Sequence, residues 1–166
     1  MKITIDEATF NRALSLGKLE LAEWLIDQGC PSDNLCYIQN FDIKVLEWLN
    51  MKNIIVPKSC LSDVIDKTGD MKVVTWFLEK GVLVDMGSLL ACIRNERNDL
   101  FTILVKKTNL TLGIDAFKTA IMAENLVILD YLKSINCKTD ETVVEIAMKY
   151  KKKSSLKWLV MNDFFN

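Results

Sequence analysis

The sequence predicts an all-α solenoid of about six helix–turn–helix repeats, and three observations carry that prediction. The first is an aromatic phrase that recurs along the chain: Leu-Ala-Glu-Trp24-Leu, Val-Leu-Glu-Trp48-Leu, Val-Val-Thr-Trp76-Phe, Ile-Leu-Asp-Tyr131-Leu and Ser-Leu-Lys-Trp158-Leu. Thr-Ile-Leu-Val105 reads as a further copy with valine in the ring position, so all four tryptophans share one column of a roughly 27-residue period. The second is a helix-stop signal after the ring at Gly29, Asn53, Gly81 and Asn136, residue types that accept the left-handed backbone closing a helix. The third is an N-cap signal upstream of each ring at Asp6, Ser32, Ser59, Ser88, Asp115 and Asp140. No alternating strand run exceeds a few residues; Ile54-Ile55-Val56 is the best and falls between repeats.

The repeats divide at approximately 6–31, 32–57, 58–86, 87–113, 114–139 and 140–166, forming one repeat domain. Each holds a first helix of about nine residues, as in the stretch ending Ala13-Leu14-Ser15-Leu16, with apolar residues at helical spacing. Ile5 and Phe10 flank the first cap as a hydrophobic staple. Ala13-Leu14, Ala120-Ile121 and Ala147-Met148 recur at one distance from the ring, placing a small residue where a neighbouring helix approaches. Tight turns follow at Gly17-Lys18, Gly69-Asp70, Asn98-Asp99 and Glu124-Asn125. The second helix then opens on the column of Leu19, Ile43, Met71, Leu100 and Leu126, which Lys153 interrupts as a polar C-terminal cap would. One such hairpin cannot bury its apolar faces alone, so the units must stack. The ending Phe164-Phe165 either folds back or forms an adhesive surface, which leaves the chain a monomer or a weak homodimer.

Composition excludes more than it assigns. With 21 basic and 22 acidic residues the net charge is −1, which argues against general nucleic-acid or anionic-membrane binding. The absence of histidine removes Ser-His, Cys-His and His-ligated metal sites together. There is no nucleophile elbow and no phosphate loop, so no enzyme and no cofactor is expected. Cys30, Cys36, Cys60, Cys92 and Cys137 are odd in number and irregularly spaced, as buried hydrophobes of a reducing compartment would be. The start turns acidic at Asp6-Glu7 without an apolar stretch ahead, and no window reaches membrane-span length. An intracellular, cytoplasmic protein is expected.

The stretch Gly17-Lys18-Leu19-Glu20-Leu21-Ala22-Glu23-Trp24-Leu25, ending Gly29-Cys30-Pro31-Ser32-Asp33, resembles an ankyrin repeat, and more narrowly the divergent ankyrin repeats of giant DNA viruses. Residues 70–81 restate the pattern, and Asn136-Cys137-Lys138-Thr139-Asp140 echoes its ending. The threonine-proline-leucine-histidine opening of the family is missing, and the period is shorter than the family's 33 residues. The resemblance therefore implies shortened or absent β-hairpin fingers. It implies a protein–protein interaction scaffold, and with a viral source, a host regulatory or defence protein as client in the host cytoplasm.

Stacked hairpins leave a ridge of each first helix facing a groove, and a pre-organised groove binds at little entropic cost. The contacts expected there are Asn11, Arg12, Arg94, Asn95 and Lys118, rimmed by Asp33, Asp85 and Lys138. The run Arg94-Asn95-Glu96-Arg97 holds two of the three arginines, a residue favoured at interfaces. The recurring carboxylates Glu20, Glu23, Asp27, Asp42, Glu47, Asp63, Asp66 and Asp70 read as solvated helix faces balanced by nearby lysines. The tryptophans read as packing between repeats rather than a stacking site for ligand. The competing function is nucleic-acid binding through the basic turn Lys149-Tyr150-Lys151-Lys152-Lys153, with lysines on phosphates and Tyr150 or Trp158 stacked on a base.

Overall fold

The structure is a computed structural model describing residues 5–32 and 36–164. Among the described residues there are twelve helices and no strand. They fall in consecutive pairs: α1 (Glu7–Ser15) with α2 (Leu19–Asp27), α3 (Cys36–Gln39) with α4 (Ile43–Met51), and α5 (Leu61–Lys67) with α6 (Met71–Glu79). Next come α7 (Met86–Arg94) with α8 (Asn98–Lys106), α9 (Ile114–Ala123) with α10 (Leu126–Ser134), and α11 (Thr142–Lys149) with α12 (Lys153–Met161). Each second helix is 9 residues long.

The second helices form because each places its apolar residues on one stripe. Val45, Leu46 and Leu49 are buried in α4, Val73, Val74 and Phe77 in α6, and Leu100, Phe101 and Leu104 in α8. Ile128, Leu129 and Leu132 hold the same places in α10, which is the i, i+1, i+4 spacing of an amphipathic helix. The ring occupies the sixth residue. That fixes a correction in repeat four: α8 opens at Asn98, so its ring position is Ile103 and not Val105, and Leu100 belongs to the buried stripe. Asn98-Asp99 is the first turn of α8, and the inter-helix turn lies at Asn95–Arg97 instead.

Helix ends repeat as strictly as helix bodies. Cys30, Ile54, Val82, Cys137 and Phe164 each donate a backbone N–H to the carbonyl five residues back, on Leu25, Leu49, Phe77, Leu132 and Leu159, at 2.9–3.2 Å. The residue before each is left-handed: Gly29, Asn53, Gly81, Asn136 and Asp163. This is the Schellman stop, which satisfies carbonyls that the helix leaves unpaired. Gly17, Glu96, Glu124 and Lys151 close α1, α7, α9 and α11 in the same way. Three of those four are not glycine.

Several cap assignments differ from the sequence expectation. Asp6 caps α1 by accepting the Thr9 amide at 2.9 Å, whereas Asp140, which accepts the Thr142 amide at 2.9 Å, lies one residue ahead of the α11 cap Glu141. Ser88, however, is the third residue of α7, where it forms a reciprocal capping box with the true cap Asp85. Gly113 precedes α9, so Asp115 sits in its first turn. Ser32 and Ser59 lie outside α3 and α5, and α3 is 4 residues long rather than about nine.

The chain divides into two compact units, Met1–Cys60 with Asp70–Leu83, and Leu61–Gly69 with Val84–Asn166. In the first unit Phe10, Leu14, Leu25, Tyr37, Leu46 and Leu49 are fully buried. Tyr37 stacks on Trp76 at 6.0 Å, meets the edge of Phe77 at 6.4 Å and donates its hydroxyl to the Ile54 carbonyl at 2.8 Å. In the second unit the first helices α5, α7, α9 and α11 pack side by side in that order, and α10 packs on α12. Phe164 folds back, with its ring 5.9 Å from Phe117 and 5.4 Å from Trp158. Phe165 lies outside the described residues.

Candidate functional site

The first helices of the second unit and their caps carry four of the eight expected contact residues, Asp85, Arg94, Asn95 and Lys118. Arg94 ends α7 and Lys118 sits in the middle of α9. Together with Thr119, Met122 and Ala123 they line an open cleft of about 460 Å³. Met122 and Ala123 make part of its lining apolar, and Arg94 and Lys118 add two cations.

Arg94 is held in place by its neighbour. Its Nη2 donates to both carboxylate oxygens of Asp66, at 2.8 and 2.6 Å, and Asn95 Nδ2 donates to Asp66 Oδ1 at 2.6 Å. Asn95 also bonds the Ala91 carbonyl at 2.9 Å, so it doubles as the end of α7. Both partners of the ion pair are solvent-exposed, and such pairs contribute only about 0–1 kcal/mol to stability. What the trio does is hold a charged side chain in one orientation beside the cleft. Asp66 was legible only as a solvated carboxylate, although its separation of 28 residues from Arg94 is one repeat.

A second cleft of about 590 Å³ is lined by Val105, Leu110, Leu112, Tyr131, Cys137 and Lys138, among others. Lys138 is exposed there, while the Cys137 thiol donates to the Leu112 carbonyl at 3.2 Å. Lys138 and the pair Arg94–Lys118 line separate clefts. Asp85 is exposed at the start of α7, where capping occupies one carboxylate oxygen. In the first unit Arg12 is exposed on α1, and Asn11 beside it is half-buried, its Oδ1 without a hydrogen-bond partner among the described residues. Asp33 lies outside the described residues.

The basic run forms a turn, as its composition predicts. Lys149 ends α11, Lys151 takes the left-handed backbone, and Lys153 opens α12. Tyr150 is exposed, with the Lys149 ammonium 5.4 Å from its ring centre.

Electrostatics distinguish structural from chemical groups. Burial raises the thiols of Cys30 and Cys137 and pushes Cys92 up to about 12, which keeps them protonated and poor nucleophiles. The carboxyls of Asp6 and Glu124 are lowered chiefly by backbone N–H donors, from Thr9 and Ser154, and Asp140 chiefly by the Thr142 hydroxyl. Among the described residues no three potential metal ligands come together, and no helix is long and apolar enough to cross a membrane. No protein-family model matches the chain, and no curated protein matches it.

Proposed function

We propose that the chain is an ankyrin-like repeat protein that binds another protein through the exposed faces of its first helices, without catalysis. The observation that carries this reading is the Arg94–Lys118 cleft. Two cations, one paired with the Asp66 that Asn95 also holds, line the cleft together with the apolar Met122 and Ala123. Arginine and methionine at a groove between packed helices are the chemistry of an interface, where an apolar anchor is oriented by charge. A client segment with an acidic group beside an aliphatic or aromatic side chain fits it. The shared helix register and repeated helix stops support the ankyrin-like assignment, and the short connectors among the described residues, such as 80–85, are in keeping with shortened fingers.

The test is affinity capture from lysate with wild type and with the variants Arg94→Glu, Lys118→Glu and both together, each checked for unchanged helicity. Clients should be retained by wild type and lost progressively by the single and double reversals. Recovery of the same proteins by all four baits overturns the assignment. Salt-sensitive binding to generic oligonucleotides, lost on replacing Lys149 and Lys151, would instead move the function to the basic turn.

A further inference from the structure

Two surfaces of the chain look unfinished in complementary ways. Trp24 is 50% exposed, whereas Trp48, Trp76 and Trp158 at the same helix position are 8%, 6% and 7% exposed. Leu21 is 44% exposed, although Val45, Val73, Leu100, Ile128 and Ser155 at its position are all buried. Leu16 is exposed beside them. In the sixth pair Met148 is 59% exposed, although Leu14, Ile93 and Ile121 at its position are buried.

Contacts between consecutive pairs of the second unit show what these positions do. Ser155, at the place of Leu21, donates its hydroxyl to the carbonyl of Ile121, at the place of Met148, at 3.0 Å. Asn95, at the place of Leu16, meets Asp66, again at the place of Met148, at 2.6 Å. The Ser154 amide, at the place of Glu20, donates to Glu124, at the place of Lys151, at 2.7 Å. The Trp158 indole, at the place of Trp24, donates to Asp130, at the place of Lys157, at 2.6 Å.

We propose that a second copy of this chain docks head to tail in that register. The first pair of one copy lies on the sixth pair of the next as each pair of the second unit lies on the pair before it. Leu16 and Leu21 then meet Met148, the Glu20 carboxylate meets the Lys151 ammonium, and the Trp24 ring meets Lys157. Apolar faces apolar, acid faces base, and a ring faces a cation, which is an attractive pairing. All seven of these residues except Met148, Leu16, Leu21 and Trp24 are charged, and the four exceptions are exposed apolar groups that burial would stabilise. A contact between two different faces of one chain is heterologous, so each docked copy offers a fresh face and the assembly grows with concentration. The interface is separate from the Arg94–Lys118 cleft and does not depend on a client.

Sedimentation velocity across a concentration series, from ~10 µM to ~1 mM, tests this. Wild type should pass from monomer to a ladder of dimers and longer species. Leu21→Glu blocks one face and Met148→Glu the other, so each alone should be at least tenfold weaker in association, about one logarithmic step in Kd. An equimolar mixture should form a 1:1 dimer and nothing larger, because each variant keeps one competent face. Should a variant melt early, charge reversal reads the same contact: Glu20→Lys and Lys151→Glu each weaken association, and mixing them restores it. A wild type that stays monomeric throughout overturns the proposal. So does a single variant that still dimerises, because that contact is isologous, and so does a mixture without recovery.

Discussion

Trp158 Nε1 donates to Asp130 Oδ1 at 2.6 Å, tying the ring of α12 to the helix one repeat earlier. The indole is nearly buried and the carboxylate is open to solvent, so the bond sits at the edge of the core. Trp158→Phe keeps most of the ring and removes the N–H. A hydrogen bond to a charged group contributes about 1.5–3 kcal/mol, and this partly wet one belongs at the low end. A loss of about 1–2 kcal/mol is expected in urea unfolding followed by circular dichroism, with Asp130→Asn milder because its amide oxygen still accepts.

Two glycines separate backbone strain from contact. Gly17 and Gly69 have φ of +65° and +55°, and an added Cβ meets nothing within 4 Å at Gly17 but lies 2.6 Å from Arg97 Nη1 at Gly69. Gly17→Ala therefore costs only the left-handed penalty, roughly 1–2 kcal/mol. Gly69→Ala adds the bond that Arg97 makes to the Gly69 carbonyl, which the guanidinium gives up as it swings aside, for about 1 kcal/mol more. Equal losses in the two melts would show that the Arg97 bond adds nothing.

Asn125 is a buried polar hinge pin. Its Oδ1 caps α10 at Ile128, and its Nδ2 donates to the Ile93 carbonyl at 3.3 Å and to Asn98 Oδ1 at 2.8 Å. Asn125→Ala strands the buried Ile128 amide and takes a partner from the half-buried Asn98 Oδ1, while the Ile93 carbonyl keeps the Glu96 N–H, for an expected loss of about 1–3 kcal/mol. Asn125→Asp keeps the cap but turns a carboxylate toward two acceptors, and it should destabilise at least as much. Denaturant midpoints for the two variants check the order.

Acid should weaken the fold through identifiable groups. The carboxyls of Asp6, Asp99, Glu124 and Asp140 are all held below their ordinary values by hydrogen bonds present only in the folded chain. Their contribution is complete above the unfolded carboxyl range and is lost as pH falls through the lowered folded values. Thermal midpoints should be flat from neutral pH down to about 5 and fall below about 4. Glu124→Gln should flatten part of that fall, and an unchanged slope would remove Glu124 from the account.

Thiol labelling should follow burial. Cys36, Cys60 and Cys92 are buried, and Cys137 is only half-buried. In native protein a maleimide should modify Cys137 first and Cys92 only on unfolding. Rapid stoichiometric labelling of Cys92 would contradict its raised thiol and reopen nucleophilic chemistry.

The six helix pairs were legible because the same apolar spacing recurs on the second helices, and Trp24, Trp48, Trp76, Tyr131 and Trp158 fall at one position of it. Repeat four slipped by two residues for a physical reason. Ile103 and Val105 are both apolar, and the turn is closed by Glu96, whose left-handed backbone no composition rule announces. The turns at Glu124 and Lys151, by contrast, were legible from the polar runs Glu124-Asn125 and Lys149–Lys153, although not from a glycine. Of the residues around the Arg94–Lys118 cleft, Lys118 is half-buried and Asn95 caps the helix end, whereas Arg94 was legible as an exposed first-helix position. Asp66 was not, because its role depends on a neighbour one full period away.

The constant helix length and the recurring stops have an evolutionary consequence. Each second helix is 9 residues long, and five of the six end on the same hydrogen-bonded stop, so a codon gained or lost inside one would misplace the whole stripe. The segments between pairs carry no such lock: residues 52–60 link α4 to α5, whereas residues 80–85 link α6 to α7. Length drift is thereby channelled into the connectors, and a lineage can vary its period while every helix pair keeps its register.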